Sequence, residues 1–151
     1  MLSAEIEEKI SEALSRFLRT DEYLLRNDLS ERSIAHRLAV CLESVFPRWH
    51  VDCEYNRDGH EIKRIPLSDA CREQLRTTDA VNPDIIVHKR GGKNLLAVEI
   101  KKAGKPGRDC DLEKLRGYIE VLGYDYGLFI CFRTGNQIER VEESILFSSA
   151  A

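Results

Sequence analysis

The segment PDIIVHKRGGKNLLAVEIKK, from Pro83 to Lys102, decides how the chain is interpreted. Two apolar runs flank Gly91 and Gly92, and glycines supply the positive φ angles that a tight hairpin turn requires. The segment therefore predicts two antiparallel strands, Asp84–His88 and Leu95–Lys101, joined by a short turn.

The register of this hairpin decides which side chains meet across it. A turn at the two glycines pairs Asp84 with Glu99, with Cβ atoms roughly 5 Å apart. A loop over residues 91–94 pairs Asp84 with Lys101 instead. Because side chains alternate between the faces of a strand, both registers place Asp84, Glu99 and Lys101 on one face. The other face, toward the core, receives the apolar side chains of Ile85, Val87, Val98 and Ile100.

Two carboxylates that face each other across a sheet repel, and a cation is the usual means of holding them together. Hard oxygen ligands suit Mg²⁺ or Mn²⁺. Such an ion can activate a water and neutralise the charge that builds on a phosphate. Lys101 would add a positive charge beside that water or phosphate. The alternative is a surface hairpin in which Glu99 forms a salt bridge with Lys101 or Lys102.

The pattern Pro83-Asp84 followed by Glu99-Ile100-Lys101 resembles the motif of the PD-(D/E)xK, or restriction-endonuclease-like, superfamily. The resemblance implies an α/β fold with a central mixed β-sheet flanked by α-helices. It also implies a metal-dependent phosphodiesterase that cuts DNA, with RNA not excluded. By the same resemblance, Asp84, Glu99 and the Ile100 carbonyl bind Mg²⁺ or Mn²⁺, and Lys101 orients or activates the water.

Many members of the family carry a further acid on the helix before the first strand. Glu31 is the candidate metal ligand here, because its position relative to Leu38 points it toward the sheet. The alternative is a capping box, with Asp28 as the N-cap and Glu31 three residues later. Glu43 is a poorer candidate, since it lies off the apolar face of that helix.

The candidate nucleic-acid contacts lie in and after the second strand of the hairpin. Some family members carry Gln-x-x-x-Tyr on the following helix, and Lys114-x-x-x-Tyr118 has that spacing with Lys in place of Gln. Positions i and i+4 share a helix face. Lys102 and Arg108 belong to the same basic stretch. The net charge of the chain is −3, so any basic surface is local.

The other predicted elements follow from apolar periodicity and from turn residues. The predicted helices are Ser3–Leu18, Leu29–Val45, Ser68–Leu75, Asp109–Leu122 and Gln137–Phe147. The predicted strands are Trp49–Tyr55 and Gly127–Phe132, and Asn56–Arg64, with Gly59, is a predicted loop. The helix from Asp109 can connect two parallel strands. Helices alternate with strands in this order, which predicts a mixed sheet with helices on its faces.

Length and composition predict the class of protein, its location and the roles of its cysteines and histidines. The 151 residues fit a single domain, and hydrophobic (42%) and charged (32%) shares are those of a globular protein. Neither a membrane span nor a signal peptide is visible, so a cytoplasmic location is expected. The five cysteines have no CxxC spacing and are interpreted as small buried apolar residues. The four histidines form no spaced cluster and are interpreted as structural or exposed.

The small size also bears on partners. A domain of this length has little surface for reading a long nucleic-acid sequence, so a homodimer or a separate targeting protein is expected. The alternative function is a catalytically inactive nuclease-fold module that binds nucleic acid or a protein partner, because fold alone does not establish catalysis.

Overall fold

The protein is described by a computed structural model over residues 1–55, 57–58, 61–75 and 81–149, and it has an α/β architecture. A mixed five-stranded sheet has helices on both faces. The helices are α1 (Ser3–Thr20), α2 (Glu22–Arg26), α3 (Glu31–Val45), α4 (Asp69–Leu75) and α5 (Arg108–Glu120). The strands are β1 (His50–Cys53), β2 (Arg57–Asp58), β3 (Glu61–Ile62), β4 (Ile85–His88), β5 (Asn94–Lys102), β6 (Tyr126–Phe132) and β7 (Val141–Ser148).

The large sheet has the strand order β1-β4-β5-β6-β7, and β2 pairs only with β3. β5 and β6 are parallel and α5 connects them, as predicted, whereas the other neighbouring strands are antiparallel. α1 and α3 cover one face, because apolar residues recur at helical spacing on each of them. α5 covers the other face, where Leu115 and Tyr118 are fully buried.

The β4–β5 hairpin has the predicted register but not the predicted turn. Ile85 pairs with Val98, so the residue before β4, Asp84, comes level with Glu99. The turn contains three residues rather than two, since the Lys89 N–H donates to the carbonyl of Lys93 (2.7 Å). A β-bulge beside Val87 inserts one residue into β5 and restores the register.

The last element differs from its prediction. The segment Gln137–Phe147 was predicted as a helix, but β7 occupies Val141–Ser148 and pairs with β6 along its length. The exposed edge of β6 has backbone N–H and C=O groups that need hydrogen-bond partners, and pairing with β7 supplies them. This tertiary interaction outweighs the local preference of the segment for a helix. The alternation follows: Ile145 and Phe147 contact the α5 side of the sheet, and Leu146 contacts the α1 side.

Two further differences lie in the predicted loop Asn56–Arg64 and directly after α1. Short strands β2 and β3 occupy part of it, while Gly59 and His60 lie outside the described residues. Helix α2 was not predicted.

No helix in the described part of the chain has both the length and the apolar character needed to cross a membrane.

Two of the cysteines, which form a disulfide, correct the interpretation of all five as small buried apolar residues. Cys71 on α4 and Cys110 on α5 form a disulfide, with Cα atoms 5.5 Å apart. Cys41, Cys53 and Cys131 are free, and of these Cys53 is exposed. The chain offers no close cysteine spacing that could have indicated a pair 39 residues apart.

Candidate active site

The site forms where β5 extends beyond the start of β4 and leaves backbone donors without a strand partner. The Ile100 N–H donates instead to Asp84 Oδ2 (2.7 Å), and the Lys102 N–H donates to Glu31 Oε2 (2.9 Å). Two carboxylates therefore lie along one edge of β5. The N–H and C=O of a strand residue point to the same neighbouring strand, so the Ile100 carbonyl faces this edge as well.

Asp84 comes level with Glu99 across the hairpin, and the two carboxyl groups interact electrostatically. Glu99 is only 2% exposed. Burial raises the pKa of Asp84, although the Ile100 N–H acts in the opposite direction. Burial and the neighbouring charge of Asp84 raise the pKa of Glu99 well above its ordinary value. Without a cation, the pair therefore tends to retain a proton.

Two donors on α5 hold the Glu99 carboxylate. The Tyr118 hydroxyl donates to Glu99 Oε1 (2.6 Å), and Lys114 Nζ lies 3.4 Å from Oε2. Burial and the adjacent Glu99 raise the pKa of Tyr118, so the phenol remains a donor. Burial opposes the charge on Lys114, but Glu99 and Asp111 outweigh it and raise the pKa of the ammonium.

Asp111 links the two lysines of the site. Its Oδ2 lies 3.0 Å from Lys101 Nζ, an ion pair without hydrogen-bond geometry, and its Oδ1 lies 3.2 Å from Lys114 Nζ. The sequence analysis missed Asp111. Its spacing was the available signal, because residues 111, 114 and 118 share one face of α5.

A close backbone approach shapes the Lys101 side of the site. Gly107, the residue before α5, has a φ of 102°, which favours glycine. A Cβ atom at this position would lie 3.1 Å from Lys101 Nζ and 3.2 Å from Gln74 Nε2. The backbone and α4 therefore enclose the Lys101 ammonium, whose side chain is 15% exposed.

Asp84 and Glu31 line a common cavity of about 540 Å³ between α3 and the sheet. Its other lining residues are Arg32, Ala35, His36, Cys53 and Glu54. The capping-box alternative for Glu31 is wrong, because the N-cap of α3 is Ser30, which accepts from the Ser33 N–H (3.1 Å). Glu31 points toward the sheet, as its position predicted.

Comparisons of the chain with models of known protein families, with curated proteins and with solved structures found no match. Function is therefore inferred from the motif and from the geometry of the site. Within the described ranges, no three His, Cys, Asp or Glu side chains come close enough together to hold a metal ion. The oxygen donors that do converge are the carboxylates of Asp84 and Glu99 beside the Ile100 carbonyl.

The four candidate nucleic-acid contacts have partners within the protein. Lys102 Nζ lies 3.1 Å from Asp28 Oδ1, on the α3 side of the sheet and opposite to Lys101. Arg108 donates two hydrogen bonds to the Glu143 carboxylate. Lys114 and Tyr118 contact Glu99, and the Tyr118 ring is fully buried. Tyr118 therefore has no surface to offer a nucleic acid in this conformation.

The histidines contribute little to the site. His36 lines the cavity, and His88 is buried with Nε2 2.6 Å from Asp52 Oδ2. Burial lowers the pKa of His88. The Arg90 guanidinium also donates to Asp52, so this cluster ties β1 to the β4–β5 hairpin.

Proposed function

We propose that the protein is a metal-dependent DNA nuclease of the PD-(D/E)xK type on a restriction-endonuclease-like fold. Asp84, Glu99 and Lys101 are its proposed catalytic residues. The observation that carries the proposal is the placement of the half-buried Asp84 carboxylate level with the buried Glu99 carboxylate, with Lys101 two residues further along β5 on the same face. Two repelling carboxylates held together with little access to water are typical of a site that binds a cationic ligand.

The donor set fits Mg²⁺ or Mn²⁺. Asp84, Glu99 and the Ile100 carbonyl offer only oxygen, which hard divalent cations prefer, and such ions keep several waters besides a few protein ligands. Glu31 is proposed as a further ligand because it shares the cavity with Asp84, and it would have to move toward Asp84 and Glu99 to join them on one ion. When bound, the ion would activate water and neutralise negative charge on the phosphate.

The chain's own residues act on orientation and charge. Tyr118 and Lys114 fix the Glu99 carboxylate through two donors, which restricts its rotation. Asp111 holds the Lys101 ammonium in an ion pair on the face of β5 that also carries Glu99. A positive charge held there favours negative charge developing on a phosphate in the transition state.

Substrate and partners are proposed from the family resemblance and from two basic residues near the site. DNA is proposed over RNA by the family resemblance, and Lys102 and Arg108 are the proposed phosphate contacts. Each would exchange an internal carboxylate partner, Asp28 or Glu143, for a phosphate. A homodimer or a separate targeting protein, and a cytoplasmic location, remain predictions.

A second candidate function, a catalytically inactive nuclease-fold module, is favoured by one specific observation. The lysines of the site already have carboxylate partners: Lys101 pairs with Asp111, and Lys114 pairs with both Asp111 and Glu99. With one proton retained by Asp84 and Glu99, two negative charges face two positive charges. Such a balanced network is stable without a metal ion and could serve the fold alone.

The decisive experiment is incubation with linear, circular, branched and single-stranded DNA, and with RNA, in Mg²⁺, Mn²⁺ or chelator. Asp84→Asn is the active-site variant, and Glu43→Gln, at an exposed acid on α3, is the matched control. We expect metal-dependent cleavage by the wild type and by Glu43→Gln but not by Asp84→Asn. Binding without cleavage would support the inactive module, and neither binding nor cleavage would overturn both the nuclease and a module that binds nucleic acid.

A further inference from the structure

The Cys71–Cys110 disulfide connects α4 to the first turn of α5, the helix that carries Asp111, Lys114 and Tyr118. Both cysteines are 4% exposed. No other two cysteines among the described residues are bonded. Among the described residues, the contact between α4 and α5 is therefore the place where the fold is cross-linked, and this contact borders the candidate active site.

Among the described side chains of α4, the disulfide cysteine supplies the buried attachment to the protein. Over residues 69–74, Cys71 is the only buried side chain, and the others are exposed. Just before α4, the Ser68 N–H donates to Glu113 Oε2 (2.7 Å), a contact at the surface. The described side chains of α4, at residues 69–74, offer little apolar area to hold the helix in place, so breaking its cross-link would loosen it.

The same helix reaches the catalytic side of the site. Gln74 Oε1 lies 3.3 Å from Cys110 Sγ, and its Nε2 lies beside Gly107, next to Lys101 Nζ. Cys110 directly precedes Asp111, whose carboxylate lies 3.0 Å from the Lys101 ammonium. A displacement of α4 and of the first turn of α5 would therefore loosen the residues that hold Lys101.

We propose that Cys71 and Cys110 form a thiol–disulfide exchange site that regulates the active site through the position of Lys101. The regulatory part of this inference rests on the proposed nuclease function. A small-molecule or protein dithiol reduces the bond. The protein disulfide and the two thiols of the reductant give two protein thiols and the disulfide of the reductant. The reverse exchange with a disulfide such as oxidised glutathione restores it. The oxidised form is the ordered, competent form.

The test compares oxidised and reduced wild-type protein in two measurements. Amide hydrogen exchange reports order over residues 69–75 and 103–112, and steady-state kinetics report cleavage. We expect reduction to speed exchange in both segments and to lower kcat by about fivefold or more, which corresponds to a modest rise in barrier. KM for DNA should stay within about twofold, because the lost contacts act on developing charge.

Variants separate this site from general thiol effects. Cys71→Ser and Cys110→Ser should match the reduced wild type and ignore reductant. Cys41→Ala, which removes a buried free cysteine on α3, should respond to reductant as the wild type does.

Each outcome decides one claim. Five reactive thiols after treatment with oxidised glutathione, or equal hydrogen exchange in the two redox states, would overturn the exchange site. Altered exchange with an unchanged kcat would overturn its regulatory role while the nuclease function stood. Absence of cleavage in both redox states would overturn the nuclease function and, with it, the regulation. Hydrogen exchange would then still decide whether the Cys71–Cys110 disulfide orders residues 69–75.

Discussion

Replacing Tyr118 by Phe should destabilise the metal-free protein through Glu99 alone. The change removes one hydroxyl and leaves the buried ring in place, so no large cavity forms. The hydroxyl donates to Glu99 Oε1 at 2.6 Å, and Glu99 is 2% exposed, so water cannot readily replace it. Hydrogen bonds to charged groups contribute about 1.5–3 kcal/mol, against about 1 kcal/mol for neutral ones.

Tyr126→Phe is the matched control, because that hydroxyl donates to a neutral acceptor, the Met1 carbonyl, at 2.9 Å. Thermal unfolding at pH 8 should show a fall of about 4–8 °C for Tyr118→Phe if the loss is about 2 kcal/mol. Tyr126→Phe should show about half of that change. The difference should shrink as the pH is lowered, because protonation of Glu99 removes the charge that strengthens its hydrogen bond from Tyr118. Equal shifts in the two variants at pH 8 would refute the buried charged hydrogen bond.

Three further predictions concern the carboxyl pair and the two adjacent lysines. Asp84→Asn should raise the stability of the metal-free protein at pH 8 by about 1 kcal/mol, by relieving repulsion with Glu99; denaturant unfolding that shows a loss instead would contradict the pairing. Stability without metal should fall as pH rises above the ordinary carboxyl range, by at most about 1.4 kcal/mol per pH unit for one proton. Stability falls with rising pH because a raised pKa means that the folded state binds the proton more tightly than the unfolded chain does. Glu99→Gln should flatten the dependence of the unfolding free energy on pH, measured by urea titration. Lys101→Ala should slow single-turnover cleavage about a hundredfold to a thousandfold. Lys102→Ala, on the other face of β5, should have a much milder effect. A larger loss of rate in Lys102→Ala than in Lys101→Ala would exclude Lys101 as the catalytic lysine.

Alternation along the strands made the core of the site predictable. Because side chains change face at every residue, the motif alone placed Asp84, Glu99 and Lys101 together. The hairpin register was also predictable, but for an incomplete reason. The three-residue turn shifts the pairing by one residue, and the β-bulge at Val87 shifts it back. A sequence shows glycines for a turn, but no local signal marked this compensating bulge.

Tertiary contacts account for what the sequence did not predict. Asp111 acquires its role only because α5 crosses over β5 and brings it to Lys101. Cys71 and Cys110 become partners only when α4 lies against α5. β7 exists because β6 offers it an edge, although the same residues also fit a helical pattern. Each of these features depends on residues distant in sequence, which periodicity within one segment cannot reveal.

Single-turnover cleavage of DNA by Glu99→Gln and by the wild type, at saturating Mg²⁺, tests the central claim most directly. The substitution keeps the size of the side chain and its hydrogen bond from Tyr118, but it removes the negative charge that the proposed metal ion requires. Far-ultraviolet circular dichroism on both proteins checks that the fold is retained. We expect metal-dependent cleavage by the wild type and a rate at least about a hundredfold lower in the variant, comparable with the loss of one group that stabilises transition-state charge. Equal rates for the two folded proteins would contradict the central claim.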